Sequence, residues 1–133
     1  MAETVAQCVS PFERIGGRKR LSQVVDRFYA LMDKDPAYAS LRAMHADDLS
    51  PMRSSLTDFL TAWMGGPRDW FEQRPGACIM SAHARLGVTR ETADQWVAAM
   101  SRALRDTVDD APLVEAMLGA LTQMSRGMAR TPA

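Results

Sequence analysis

The sequence predicts an all-α domain, and three observations carry that expectation. Apolar residues recur at spacings of three and four over several separate stretches. No run of β-branched residues with a period of two occurs anywhere. The apolar stretches are separated by proline, glycine and capping residues rather than by hairpin turns. With 133 residues, 47% of them hydrophobic, the chain is long enough for one domain with one sizeable core, and too apolar to be disordered.

Taken in order, residues 1–10 carry no pattern and read as a flexible arm, and residues 130–133 as a short tail, leaving 11–129 as the folded domain. Pro11-Phe12-Glu13-Arg14-Ile15 suits one or two helical turns ended by Gly16-Gly17. From about Arg18 to Asp33, Leu21, Val24, Val25, Phe28, Leu31 and Met32 form one stripe, with Tyr29 on or beside it. Asp35-Pro36 opens a short segment reaching roughly Met44, with His45 at its end and the acidic loop Ala46-Asp47-Asp48 after it. Ser50-Pro51 reads as an N-cap followed by proline in the first helical position. Met52, Leu56, Phe59, Leu60 and Trp63 mark the helix that follows, which Gly65-Gly66-Pro67 stops.

Residues 68–76 form a turn-rich connection holding Trp70 and Phe71. A short helix around Cys78–Leu86 comes next and closes near Gly87. Thr89 suits the cap of a helix with Glu91 in its first turn and a stripe of Ala93, Trp96, Val97, Met100, Leu104 and Val108. Asp110 suits the cap of the last helix, with Pro112 in its first turn. Leu113, Val114, Met117, Leu118, Leu121, Met124 and Met128 form its stripe.

Composition narrows the function. Lysine plus arginine, 16 residues, equals aspartate plus glutamate, 16 residues, and no like-charge run reaches five, so no basic footprint for nucleic acid or a membrane surface exists. No signal peptide or spanning segment is evident, and the two isolated cysteines suit a reducing compartment; a cytoplasmic protein is expected. The ten methionines are spread at helical spacing and read as core filling. Phosphate loops, dinucleotide fingerprints, paired-cysteine motifs and a nucleophile elbow are all absent, and two histidines cannot build a histidine-only zinc site.

What remains is a set of large residues with polar tips on apolar stripes: Tyr29, His45, His83 and Trp96. Ile79, Met80 and Leu86 share one helical face with His83. A histidine so placed can be a core residue bonded to a backbone carbonyl, or a ligand to a metal or cofactor. Together the four suggest a largely apolar cavity with few directing groups, which a flat iron macrocycle held by one histidine would fit.

In order and spacing, Pro11-Phe12-Glu13-Arg14-Ile15-Gly16-Gly17, Asp26-Arg27-Phe28-Tyr29, the Met44-His45 to Leu49 stretch, Phe59-Leu60, Gly65-Gly66-Pro67, His83-Ala84 and Asp94-Gln95-Trp96 resemble the truncated haemoglobins, most closely their group II. The resemblance covers about residues 11–128. It implies a globin-like two-over-two helical sandwich around haem b, with His83 as the proximal iron ligand. Tyr29 matches the distal tyrosine, Trp96 the tryptophan that marks groups II and III, and His45 a distal corner position. Met52 and Leu56 match the distal-helix positions that look onto the iron. Phe28, Phe59, Met80, Leu86 and Val88 complete the cofactor-binding set expected here.

The chain departs from the group in three places. Ile79-Met80-Ser81-Ala82 stands where arginines that help hold the haem propionates usually precede the proximal histidine. Trp70 replaces a usual tyrosine, and Leu86 and Val88 replace a phenylalanine and an isoleucine. The implied activity is binding of a diatomic gas (oxygen, nitric oxide or carbon monoxide) for redox chemistry or sensing rather than bulk oxygen transport. Nitric oxide dioxygenase and peroxidase-type side activities stay open, as does an unidentified reductase partner. A monomer or homodimer is expected. The rival reading is a globin-like sensor or interaction module that has lost haem or holds it weakly. His45 is expected to hydrogen-bond to the ligand, with direct iron ligation as the alternative.

Overall fold

A computed structural model of the chain describes residues 9–68, 72 and 87–129. The tail at 130–133, the helix expected around His83 and most of the N-terminal arm lie outside the described residues. Among the described residues the elements are helical throughout: α1 (Pro11–Ile15), α2 (Gly17–Lys34), a 3₁₀ turn (Pro36–Tyr38), α3 (Ala39–Ala43), α4 (Ser50–Trp63), α5 (Arg90–Thr107) and α6 (Ala111–Met128). None of the described helices is long and apolar enough to cross a membrane.

The periodic stripes become the core. Leu21, Val24, Val25 and Phe28 of α2 are completely buried, as are Ala99, Met100, Ala103 and Leu104 of α5. Leu113, Val114, Met117, Leu118 and Leu121 of α6 join them in one continuous cluster. The packing follows from these faces: α2 lies against both α4 and α5, and α5 lies against α6. Two helix pairs, α2 with α4 and α5 with α6, are thus joined through α2 and α5. This is the two-over-two arrangement expected, with α2 as the shared helix.

Most caps fall where the sequence puts them. Thr89 Oγ1 accepts the Thr92 N–H and Thr92 Oγ1 accepts the Thr89 N–H, a reciprocal capping box at the head of α5. Asp110 Oδ1 accepts the Leu113 N–H at the head of α6, and the Arg14 guanidinium, bonded to both of its oxygens, holds that carboxyl below the usual carboxylate range. Two boundaries differ from expectation. Gly17 is the first residue of α2, yet both glycines are left-handed, Gly16 at φ 112° and Gly17 at φ 75°, and together they make the break after α1. Ser50 is the first helical residue of α4 and not its cap; the preceding position is Leu49, and Asp48 Oδ1 accepts the Ser50 N–H instead. The acidic loop therefore does the work assigned to the serine.

The start of the domain is clasped to the end of α4. Phe12 donates its N–H to Met64 O at 2.9 Å, and Gly66 donates to Thr61 O at 2.8 Å. A Cβ on Gly66 would stand 2.8 Å from two atoms of the Phe12 ring and 2.9 Å from the Thr61 carbonyl oxygen. That closeness is why the breaker after α4 contains a glycine whose φ is not itself unusual. Gly66→Ala should cost about 1–3 kcal/mol of unfolding free energy through overpacking. Gly119→Ala, in the exposed face of α6 with nothing within 4 Å of the added carbon, should gain about 0.5–1 kcal/mol. Chemical denaturation of both variants checks the pair. Equal effects of the two would refute the clasp.

Candidate functional site

The candidate site is built on α2. Phe28 and Tyr29 follow each other on its buried face, at 0% and 2% exposure. Their rings meet edge-on, with centroids 4.9 Å apart and planes 70° apart. The Trp96 ring of α5 meets Phe28 in the same way at 5.3 Å and 61°, and His45 meets Tyr29 at 6.1 Å and 77°. Trp96, Phe28, Tyr29 and His45 therefore form a chain of edge-to-face contacts running from α5, across α2, to the corner after α3. Four residues singled out in the sequence are brought together by one helix face.

Tyr29 carries the polar chemistry of that chain. Its phenol is pushed up to about 12, first by burial, with the nearby Arg53 charge pulling weakly the other way. It stays an O–H, and thus a donor, through all ordinary pH. None of the described residues hydrogen-bonds its hydroxyl. Trp96 is half-buried and packs against the core, less enclosed than its place on the stripe suggests. Phe28 fills the space behind it, so the indole cannot sink further.

The corner is held by backbone. His45 is half-buried and its Nδ1 lies 2.9 Å from Leu41 O. Leu41 in turn donates its N–H to Gln95 Oε1 of α5 at 3.0 Å. The Asp47-Asp48 loop is solvated: Arg42 donates to the carbonyls of Ala46 and Asp47, and backbone donation from Ser50 lowers the Asp48 carboxyl.

α4 supplies the apolar wall. Phe59 is 6% exposed, Leu56 is half-buried, and Met52 is 41% exposed. Val88 and Val97 are half-buried near the head and in the middle of the α5 region. On α4, Thr57 Oγ1 is bonded to Arg53 O at 2.8 Å, while the buried Thr61 Oγ1 has no hydrogen-bond partner among the described residues. His83, Met80 and Leu86 lie outside the described residues. Two residues that the sequence did not single out bear on the site. Gln95 was visible only as the middle of Asp94-Gln95-Trp96, and Arg53 only as a charge after Met52. Neither sits on an apolar stripe, the signal by which the others were found.

The residues present fit haem. Large apolar groups on α4 and α5, Met52, Leu56, Val97 and Trp96, are left partly uncovered, as a flat apolar face requires. Beside them stand a buried phenol and an indole, able to meet a small polar ligand at the centre of such a face.

Comparison with known proteins agrees. The family model described as bacterial-like globin matches residues 10–130. A curated relative, the group 2 truncated hemoglobin YjbI of Bacillus subtilis, is 29% identical over 119 residues, covering 90% of this chain and 87% of that protein. Among solved structures, the group II 2-on-2 hemoglobin of Agrobacterium tumefaciens superimposes with a TM-score of 0.89 at 29% identity, covering 93% of this chain and 96% of its own. The cold-adapted truncated hemoglobin of Pseudoalteromonas haloplanktis gives a TM-score of 0.89 at 26% identity, with 93% and 100% covered. With its two-over-two helices, its α2 aromatic pair and a match over nearly its whole length, the chain belongs to the bacterial-like globins, a truncated haemoglobin of the group II kind whose cofactor is haem b.

Proposed function

We propose that this globin binds a diatomic gas at a haem held through His83, with Tyr29 and Trp96 as the donors that retain the ligand, in a redox or sensing role rather than bulk oxygen transport. One observation supports it above the others: the Trp96–Phe28–Tyr29 ring chain, which brings one indole and one phenol from different helices against the same buried ring. When bound, haem supplies reversible gas binding and one-electron chemistry at iron. The chain's own part is to orient donors and exclude water. Tyr29 can donate one O–H and Trp96 one N–H to a ligand with partial negative charge. Met52 and Leu56 offer no donor from α4 and shield that face. Breaking several hydrogen bonds at a desolvated ligand makes release slow, which suits oxygen-dependent redox chemistry. A cytoplasmic setting and an unidentified reductase belong to the same reading.

The reading of a module that has lost haem draws on Ile79-Met80-Ser81-Ala82, which lacks the arginines usual before the proximal histidine. An absorption spectrum separates the two. The purified chain, supplied with haem, should show a Soret band, and His83→Gly should lose the five-coordinate ferrous spectrum. A parent without a Soret band after reconstitution favours the haem-free module. A variant with an unchanged spectrum assigns the iron to another residue.

Trp96→Phe keeps most of the ring volume and removes one donor. A hydrogen bond to a partly charged ligand is worth about 1.5–3 kcal/mol, so oxygen release should quicken roughly ten- to a hundredfold. Met52→Leu removes no donor and should change the rate little. Stopped-flow oxygen displacement measures both. A Trp96→Phe rate within about twofold of the parent would reduce Trp96 to packing.

Burial of Tyr29 makes its own prediction. Its phenol titrates near 10.0 when exposed and at about 12 when folded. Between those values the unfolded chain has lost the proton that the folded chain keeps, so stability falls as pH rises. The contribution is whole below the unfolded value and is lost through the folded one. Over that window the parent should lose about 2–3 kcal/mol more than Tyr29→Phe does. Urea unfolding of both proteins at a series of alkaline pH values measures the difference. Parallel curves would mean a solvated phenol.

A further inference from the structure

Gln95 lies one residue before Trp96, yet its amide turns to the corner that carries His45. Its Oε1 accepts the Leu41 N–H at 3.0 Å, across 54 residues of sequence. Its Nε2 donates to Glu91 Oε1 at 3.3 Å, and the same oxygen lies 3.3 Å from Ser40 Oγ. α3 needs this support. It is five residues long, and no side chain caps its start; a helix so short has little stability of its own.

Among the described residues the Leu41 carbonyl oxygen faces the Met44 N–H at 3.1 Å and His45 Nδ1 at 2.9 Å. A carbonyl oxygen only accepts. Nδ1 must therefore carry a hydrogen, and in a neutral ring Nε2 then carries none. A neutral His45 held in this way cannot donate from Nε2, so any hydrogen bond between that nitrogen and a ligand is one it accepts.

We propose that Gln95 is a positioning residue of the distal corner, which by holding Leu41 fixes His45 as its Nδ1–H tautomer and leaves Nε2 a hydrogen-bond acceptor. The tautomer concerns the chain's own atoms. Only its consequence for a ligand rests on the haem reading. The corner then complements Tyr29 and Trp96: two groups give hydrogens and one receives a hydrogen. A small ligand that brings its own O–H meets all three, whereas one that only accepts meets two.

The test is a two-bond proton–nitrogen correlation spectrum of the histidine rings in the full ¹⁵N-labelled chain. It is recorded alkaline of the histidine titration, reduced and saturated with carbon monoxide so that any haem is diamagnetic. His45→Ala identifies the signals. In the parent, Nδ1 should read as protonated and Nε2 as bare. Gln95→Leu keeps the bulk but removes the acceptor for Leu41, and should replace the single tautomer with a mixture. Gln95→Glu restores an oxygen at that position and should recover the parent pattern. A parent with its hydrogen on Nε2 overturns the proposal, with no variant needed. A Gln95→Leu protein that keeps the pure Nδ1–H form overturns the role of Gln95. The absorption spectrum of the same sample is read separately. A colourless sample with the Nδ1–H tautomer defeats the haem reading and leaves this one standing, and a coloured sample with the Nε2–H form does the reverse.

Discussion

Phe28 is the residue on which the arrangement depends. It has no exposed surface, and its ring meets Tyr29 on one side and Trp96 on the other. It is part of the contact between α2 and α5 that joins the two helix pairs, and it stands between the Tyr29 and Trp96 rings. Fold and site are thus fixed by the same side chain. A core close-packed to the density of a crystal transmits such a position with little slack, so the Tyr29 and Trp96 rings need no hydrogen-bond network of their own to stay in place.

The surface ion pairs serve the same geometry at lower energy. Arg18 reaches Asp58 between α2 and α4, Arg27 reaches Asp106 between α2 and α5, and Arg105 reaches Glu115 between α5 and α6. Arg102 of α5 binds Asp35 and the Tyr38 hydroxyl together, fastening the turn before α3. Each of these pairs is partly solvated and contributes little alone. Placed at nearly every helix–helix seam, they oppose sliding of one helix along another, a motion that apolar stripes resist weakly because their contacts are not directional.

Much of this was legible in the sequence because one rule, three- and four-residue spacing, governs both the core and the large side chains of the candidate site. Tyr29, Trp96, Leu56 and Phe59 could be found by being large and on a stripe. Thr89 and Asp110 could be found as caps because their side chains bond only three residues ahead. Three things escaped. The exposure of Met52 depends on which neighbours α4 packs against, which no local pattern encodes. The role of Gln95 depends on a contact with a residue far away in sequence. The protonated nitrogen of His45 depends on a carbonyl one turn earlier, and a helix with a different end would have offered it to solvent.

The capping box at Thr89 has a consequence for how relatives of this chain can vary. It fixes where α5 begins, because the hydroxyl exchange with Thr92 satisfies the first free N–H groups at that point and no other. Trp96 stands seven residues further on. At about 100° per residue that brings its Cβ back to within roughly 20° of the direction at Thr89. The indole direction is therefore measured from the cap, not from the segment that precedes it. Lengthening the chain between His83 and Thr89 would leave Trp96 facing as it does. A single residue inserted between Thr89 and Trp96 would turn the indole by about a quarter of a circle and carry it off the Phe28 ring. Drift in loop length is tolerable on one side of the threonine and ruinous on the other.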